Sequence, residues 1–274
     1  MNPLVMHAIT KDFPGFSLGP ITFELPRGYV TGLVGANGAG KTTLLKIALG
    51  LVHPTSGSSQ LIDRERVGVV FDVPSLPRNW RLREIAPALK PFYPNWSDAT
   101  FQRIAGWGGL EMDKRVHNLS RGMGMKLQLA IAMAHDAELL LFDEPTSGLD
   151  PLARSELIDM IAEYMTDENH TVLFSSHITS DIEKIADHLA VMSAGRLVAG
   201  GPLQEVIDGF RLVKGGRDSL APVQQLVLGA RQHDAGWDGL MRTEDTVALP
   251  DGVLSEAPSV EQVVIALAKE GRHA

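Results

Sequence analysis

The chain has 274 residues, 44% of them apolar, which suits one large globular α/β domain with a small appendage. Its 33 acidic residues outweigh 25 basic ones, and the formal charge of −8 argues against a broad nucleic-acid-binding face. It has no cysteine, which excludes disulfides, thiolate metal sites and cysteine nucleophiles.

In chain order, β-type runs come first at Leu4–Ile9, Ile21–Leu25 and Tyr29–Val34, separated by Pro and Gly. A Gly-rich loop leads into a helix from Lys41 to Leu49 that stops at Gly50, and strands follow at Ser58–Ile62 and Val67–Phe71. From Pro74 to Asn118 aromatics, prolines and helical patterns replace strands, so an inserted helical subdomain is expected over about 74–118. The α/β rhythm returns with helices at Arg121–His135, Leu152–Met165 and Ser180–Ala186. These interleave with strands at Leu139–Phe142, Thr171–Ser175, Leu189–Met192 and Arg196–Ala199. Apolar strands alternating with helices predict a mostly parallel sheet covered on both faces. Beyond Gly201 the pattern weakens, and residues 203–274 read as an α+β accessory domain ending in a helix at Val260–Lys269.

No run reaches the roughly 18–20 apolar residues of a membrane helix; the most apolar window, Leu127–Phe142, is broken by His135, Asp136 and Glu138. Met1–Phe16 lacks the basic flank and apolar core of a signal peptide. The expectation is an intracellular protein whose membrane part, if any, belongs to another chain.

Two motifs carry chemistry. Gly35-Ala36-Asn37-Gly38-Ala39-Gly40-Lys41-Thr42 fits G-x-x-x-x-G-K-[ST] and has the required strand before it and helix after it. Its glycines let successive N–H groups turn towards phosphates, and the helix start adds its positive dipole end. Lys41 should reach the β- and γ-phosphates, and the Thr42 hydroxyl should ligate Mg²⁺. The second motif is the apolar strand Leu139–Phe142 running into Asp143 and Glu144. That delivers two carboxylates to the C-terminal sheet edge, where open α/β sheets bind ligands. Asp143 suits a Mg²⁺-bound water, and Glu144 suits polarising the water that attacks the γ-phosphate.

Further segments narrow the family. Asn118-Leu119-Ser120-Arg121-Gly122-Met123 precedes Asp143 by about twenty residues and resembles the ABC (ATP-binding cassette) signature, usually written LSGGQ. Ser147-Gly148-Leu149-Asp150 resembles the D-loop, and His177, after the strand Thr171–Ser175, resembles the switch histidine. In order and spacing, residues 4–200 are similar to ABC cassettes. The resemblance implies a P-loop α/β fold with a small antiparallel β-subdomain, and ATP and Mg²⁺ as ligands. It also implies a head-to-tail homodimer with ATP sandwiched between cassettes, and a membrane permease as partner at the inner face of the cell membrane. Expected nucleotide contacts are Gly35, Asn37, Gly38, Ala39, Gly40, Lys41, Thr42 and Thr43 from one subunit, with Ser120, Gly122 and Asp150 from the other. His177 would sense the γ-phosphate. Phe13, 28 positions before Lys41, stands where the family commonly stacks a tyrosine on adenine, with Phe16 as a competitor.

Three departures stand out. Asp72 replaces the usual glutamine after the strand at Val67–Phe71; as a carboxylate it is an expected Mg²⁺ contact, although shorter and charged. Arg121 and Met123 replace glycine and glutamine in the signature. The short segment between Gly50 and Asp72 predicts a trimmed β-subdomain. Together with Phe92-Tyr93-Pro94-Asn95-Trp96, these variants resemble ATPase subunits of bacterial antibiotic- and bacteriocin-type exporters. A soluble ABC ATPase acting on ribosomes or DNA would typically show two cassettes, a long coiled coil or cysteine zinc modules. A small-molecule phosphotransferase would leave Ser120–Met123, Ser147–Asp150 and His177 unexplained. The other eight histidines, from His7 to His273, have no spacing suited to a metal.

Overall fold

The computed structural model describes residues 1–270. It opens with a hairpin, β1 (Leu4–Phe13) and β2 (Phe16–Leu25), that turns at Pro14-Gly15. Both strands are longer than their apolar runs. Lys11–Phe13 and Phe16–Leu18 pair through the backbone around the turn, with Lys11 opposite Leu18 and Phe13 opposite Phe16. Such ladder pairing needs no apolar alternation, which is why hydropathy alone does not mark these ends. β4 (Ser56–Leu61), rich in serine, adds to the other edge of β1, giving an antiparallel sheet of order β2-β1-β4. The expected small β-subdomain therefore has three strands.

The main sheet has six strands in the order β5-β6-β7-β3-β8-β9. They are β3 (Val30–Val34), β5 (Val67–Val70), β6 (Leu139–Asp143), β7 (Thr171–Ser176), β8 (His188–Ser193) and β9 (Arg196–Pro202). The first five run parallel, and β9 returns antiparallel to β8. Every residue of β3, β6 and β7 is buried, as expected of central parallel strands.

Each face of the sheet has its own core. On one, Leu33, Leu139, Leu141 and Leu173 meet the β1/β2 hairpin and α1 (Lys41–Ala48). On the other, Val34, Phe142 and Phe174 meet a helical layer. That layer comprises α3 (Asp98–Trp107), α4 (Arg121–Ala134), α5 (Pro151–Tyr164) and α6 (Thr179–Ile185), with α2 (Leu82–Leu89) beside them. Helical structure thus occupies the segment between β5 and α4, as the composition predicts. Ser97 caps α3 by accepting from Thr100 N at 3.1 Å, and α3 packs Phe101, Ile104 and Ala105 towards α4.

After β9 come α7 (Leu203–Asp208) and an antiparallel sheet of order β11-β12-β10-β13. Its strands are β10 (Phe210–Gly215), β11 (Val227–His233), β12 (Gly236–Arg242) and β13 (Leu254–Glu256). Trp237, Val213, Val223 and Met241 form a small core there. The chain closes with α8 (Val260–Glu270), whose Val260, Val263 and Leu267 join the main core. Val260 N donates to Glu183 Oε1 of α6 at 3.0 Å, and Ser193 Oγ donates to Ala268 O at 3.1 Å. This last helix is therefore held against the cassette.

Candidate nucleotide site

The loop between β3 and α1 has the geometry its glycines permit. Gly38 and Gly40 take φ of 81° and 105°, a region open to glycine at little cost. A Cβ on Gly35 would come within 2.4 Å of Met192 O, so close backbone approach also demands glycine there. Lys41 is 6% exposed, and its Nζ donates to Gly35 O at 2.6 Å, lying inside the loop's curl. Asn37, Gly38, Ala39, Gly40, Lys41, Thr42, Thr43 and Glu144 line a pocket of about 460 Å³ together with Phe16. Every residue expected from the loop is there except Gly35, which lies beneath it as the acceptor for Lys41.

β6 brings its two carboxylates to this loop. Thr42 Oγ1 donates to Asp143 Oδ2 at 2.8 Å, and Ser175 Oγ of β7 donates to Asp143 Oδ1 at 3.0 Å. Both oxygens of the buried Asp143 are thereby fixed. Glu144 takes φ of 55°, an uncommon value for a residue with a Cβ and one that recurs at functional sites. Its N–H is held by the Ser175 hydroxyl and carbonyl, each at 3.2 Å. Glu144 Oε2 lies 2.6 Å from His177 Nδ1. Glu144 Oε1 lies 3.1 Å from Lys41 Nζ, yet this buried oxygen accepts no hydrogen bond. Lys41 and His177 thus meet the two oxygens of the same carboxylate, Glu144.

A hard divalent cation suits the donor set at Thr42 and Asp143, a hydroxyl and a carboxylate already 2.8 Å apart. Among the described residues no three His, Asp or Glu side chains converge as a closed metal cage; His273 lies outside them. Mg²⁺ commonly uses one or two protein oxygens and completes its shell with phosphate and water.

The remaining predicted residues stand elsewhere. Ser120 is exposed and caps α4, its hydroxyl accepting from Met123 N at 3.2 Å, with Gly122 in the first turn beside Leu149. Asp150 caps α5, accepting from Leu152 N and Ala153 N at 3.0 Å each. Those backbone donors, Ala153 foremost, hold its carboxyl below the usual range. Phe16, rather than Phe13, lines the pocket; Phe13 is 39% exposed with its ring centroid 6.3 Å from that of Phe16. Asp72 is hydrogen-bonded by Arg121, not by Thr42, and borders a second hollow of about 480 Å³ with Ser120 and Arg121. Two of the three departures from the family pattern are thus partners.

A family model described as ABC transporter matches residues 18–147. A lantibiotic transport ATP-binding protein of Streptococcus pyogenes is 34% identical over 201 residues, covering 70% of this chain and 85% of that protein. The chain belongs to the ABC transporter ATP-binding family. Members of this family bind and hydrolyse ATP. An uncharacterised ABC transporter ATP-binding protein of a Nostoc species is 34% identical over 206 residues, 70% of this chain but only 61% of the relative's length. A solved structure of an ATP-binding subunit of an ABC transporter superposes with a TM-score of 0.66 at 26% identity, covering 74% of this chain and 91% of that one. The cassette's mixed α/β architecture and central parallel sheet agree with the fold expected from sequence.

Two residues of this ABC cassette escaped the sequence reading. Ser175 looked like the polar end of a strand, yet it is fully buried and fixes Asp143. Gln128 sits on the buried side of α4 and hydrogen-bonds the backbone of Phe71. In both, the available signal was a polar residue inside an apolar pattern, which calls for a buried partner.

Proposed function

We propose that the chain is the ATP-binding and ATP-hydrolysing subunit of a transporter, powering a separate membrane permease and exporting drugs or peptides. The observation that carries this reading is the Lys41–Glu144–His177 network beside the Thr42–Asp143 pair. An arriving γ-phosphate competes with Glu144 for Lys41. As Lys41 turns to the phosphate, Glu144 Oε1 is freed to accept a proton from the attacking water. Mg²⁺ at Thr42 and Asp143 would neutralise phosphate charge, and Asp72 would hold one of its waters. His177, tethered to the same carboxylate, would register the loss of the γ-phosphate.

In this reading ATP closes a head-to-tail homodimer. Ser120 and Gly122, at the start of the 14-residue helix α4, meet the partner's nucleotide with backbone N–H groups and the positive dipole end. Asp150 couples the two sites, and Phe16 or its neighbour Phe13 stacks on adenine. Residues 1–202 form the ATPase domain, with about 74–118 as its helical subdomain, and 203–274 an accessory domain supported by the small core at Trp237. Among the described residues no helix is long and apolar enough to cross a membrane. A cytoplasmic subunit held at the membrane by its permease accords with that. The lantibiotic-transport relative supports a peptide or drug cargo.

The test is capture of tagged Glu144→Gln protein from detergent-solubilised native membranes with ATP present, and mass spectrometry of what comes with it. One polytopic membrane protein in stoichiometric amount is the expected result. Ribosomes or DNA-bound proteins in its place would overturn the transport reading and leave a soluble ABC ATPase.

A further inference from the structure

One face of α4 grips the segment Phe71–Pro74 at three points. Gln128, 6% exposed, pairs with the Phe71 backbone in both directions: Phe71 N donates to its Oε1 at 3.1 Å, and its Nε2 donates to Phe71 O at 2.7 Å. Nε2 also reaches Gly124 O on its own helix at 3.3 Å, which fixes the amide's orientation. Pro74 lies against Gly124, where a Cβ would come within 2.8 Å of the proline Cγ. At the first turn Arg121 Nε donates to Asp72 Oδ1. Residues 121, 124 and 128 are spaced i, i+3, i+7 and so share one side of the helix.

The three contacts are unequal. The Arg121–Asp72 pair is about half exposed on both sides, and such pairs hold little by themselves. The Gln128 amide is buried, and its loss would leave both polar groups of Phe71 short of a partner. Gln128 is therefore the anchor and the ion pair its outer fastening. Phe71 directly follows β5, which lies beside β6, the strand ending in Asp143. The chain leaves the sheet there and is taken up at once by the helix that Ser120 caps.

We propose that Gln128 is a positioning residue that binds the Phe71 backbone to α4, so that Asp72 moves with Ser120 instead of with the central sheet. This rests on the reading of Asp72 and Ser120 as parts of the ATPase reaction. Any displacement of α4 on capture of a nucleotide then carries the Asp72 carboxylate with it, because Gln128 holds the residue before it and Arg121 holds its side chain.

The experiment is a double-mutant cycle on ATP turnover with Asp72→Asn, Gln128→Met and both together. Each single variant is expected to lower kcat about tenfold with KM within about twofold, as for a misplaced group outside the phosphate loop. The double variant should be no slower than the worse single one, since a carboxylate that is no longer held in place has nothing left to lose. Multiplicative losses, or an Asp72→Asn variant with full activity, would overturn the proposal. Gly124→Ala presses on Pro74 with Gln128 intact and should leave the Asp72→Asn effect in place; loss of that effect in this variant counts against the proposal. Hydrogen exchange separates this idea from the ATPase reading. ATP should alter exchange of 71–74 and 120–124 together in the unmodified chain and independently in Gln128→Met. Independent changes in the unmodified chain would overturn the positioning role, whereas absent turnover with concerted exchange would overturn only the ATPase reading.

Discussion

The two halves of the proposed ATP sandwich are built differently. At the phosphate loop, Lys41 and Asp143 are buried; Thr42 and Ser175 contact Asp143, Glu144 contacts Lys41, and His177 contacts Glu144 in turn. At the start of α4, Ser120 is exposed, makes a single cap hydrogen bond, and has beside it an ion pair open to water. The first half carries its cation, its carboxylates and its histidine within one chain. The second offers only a hydroxyl and a helix start, and in the proposed dimer it would become a phosphate site when another molecule supplies the phosphate. A cassette that works as a dimer needs such an asymmetry, one side preorganised and the other complementary.

The most severe way to break the comparison is Glu144→Gln. Turnover should fall about 10²- to 10⁴-fold, as for loss of a general base, while ATP affinity changes by only a few fold. Phosphate release and a nucleotide titration measure the two; undiminished turnover would remove Glu144 from the chemistry. Lys41→Ala comes next. Each charge-assisted hydrogen bond to phosphate contributes about 1.5–3 kcal/mol, so ATP affinity should drop about 10- to 100-fold, and an unchanged affinity would contradict the pocket assignment.

The far end of α4 gives a pH test. His135 is 3% exposed, its Nδ1 has no hydrogen-bond partner, and its ring stacks on Tyr93 with centroids 4.2 Å apart. Burial outweighs the neighbouring Asp136 and backbone acceptors and pushes its pKa down to about 4. A histidine depressed in the folded state contributes stability above its unfolded value near 6.5, lost as pH falls towards about 4. Its part of the slope is at most about 1.4 kcal/mol per pH unit. Chemical denaturation between those limits should show the loss, and His135→Phe, which keeps the stack, should flatten it. An equally steep profile in the variant would mean that other groups dominate.

The smallest effect is expected at Ser120→Ala. Loss of the cap costs about 1 kcal/mol of stability, and ATP binding by the isolated subunit should stay within about twofold. A large loss of monomer affinity would place Ser120 in the same half-site as Lys41 and erase the comparison.

How far sequence reached follows the same division. The phosphate loop and Asp143-Glu144 were legible because their chemistry is local: a glycine pattern, a buried strand and its last two side chains lie within a few residues. The parallel sheet was legible because continuous apolar runs leave few other ways to be buried. Partners distant in sequence were not legible. Ser175 meets Asp143 across two strands, Gln128 meets Phe71 across a helix and an insertion, and Arg121 meets Asp72 over 49 positions. Asp72, expected near the metal from its place after β5, also pairs with Arg121, a cation that the family pattern does not predict. Phe16 lines the pocket and Phe13 does not, although the two stand opposite each other across the hairpin, and ring type does not encode that choice.

The central claim is that the exposed half-site at Ser120 is completed by a nucleotide bound on a second copy of the chain. Its most direct test is the solution mass of Glu144→Gln protein by light scattering, with and without saturating ATP and Mg²⁺. A monomer that becomes a dimer only with nucleotide, and fails to do so when Ser120→Ala is added, is the predicted result. A Glu144→Gln protein that binds ATP and stays monomeric would contradict it.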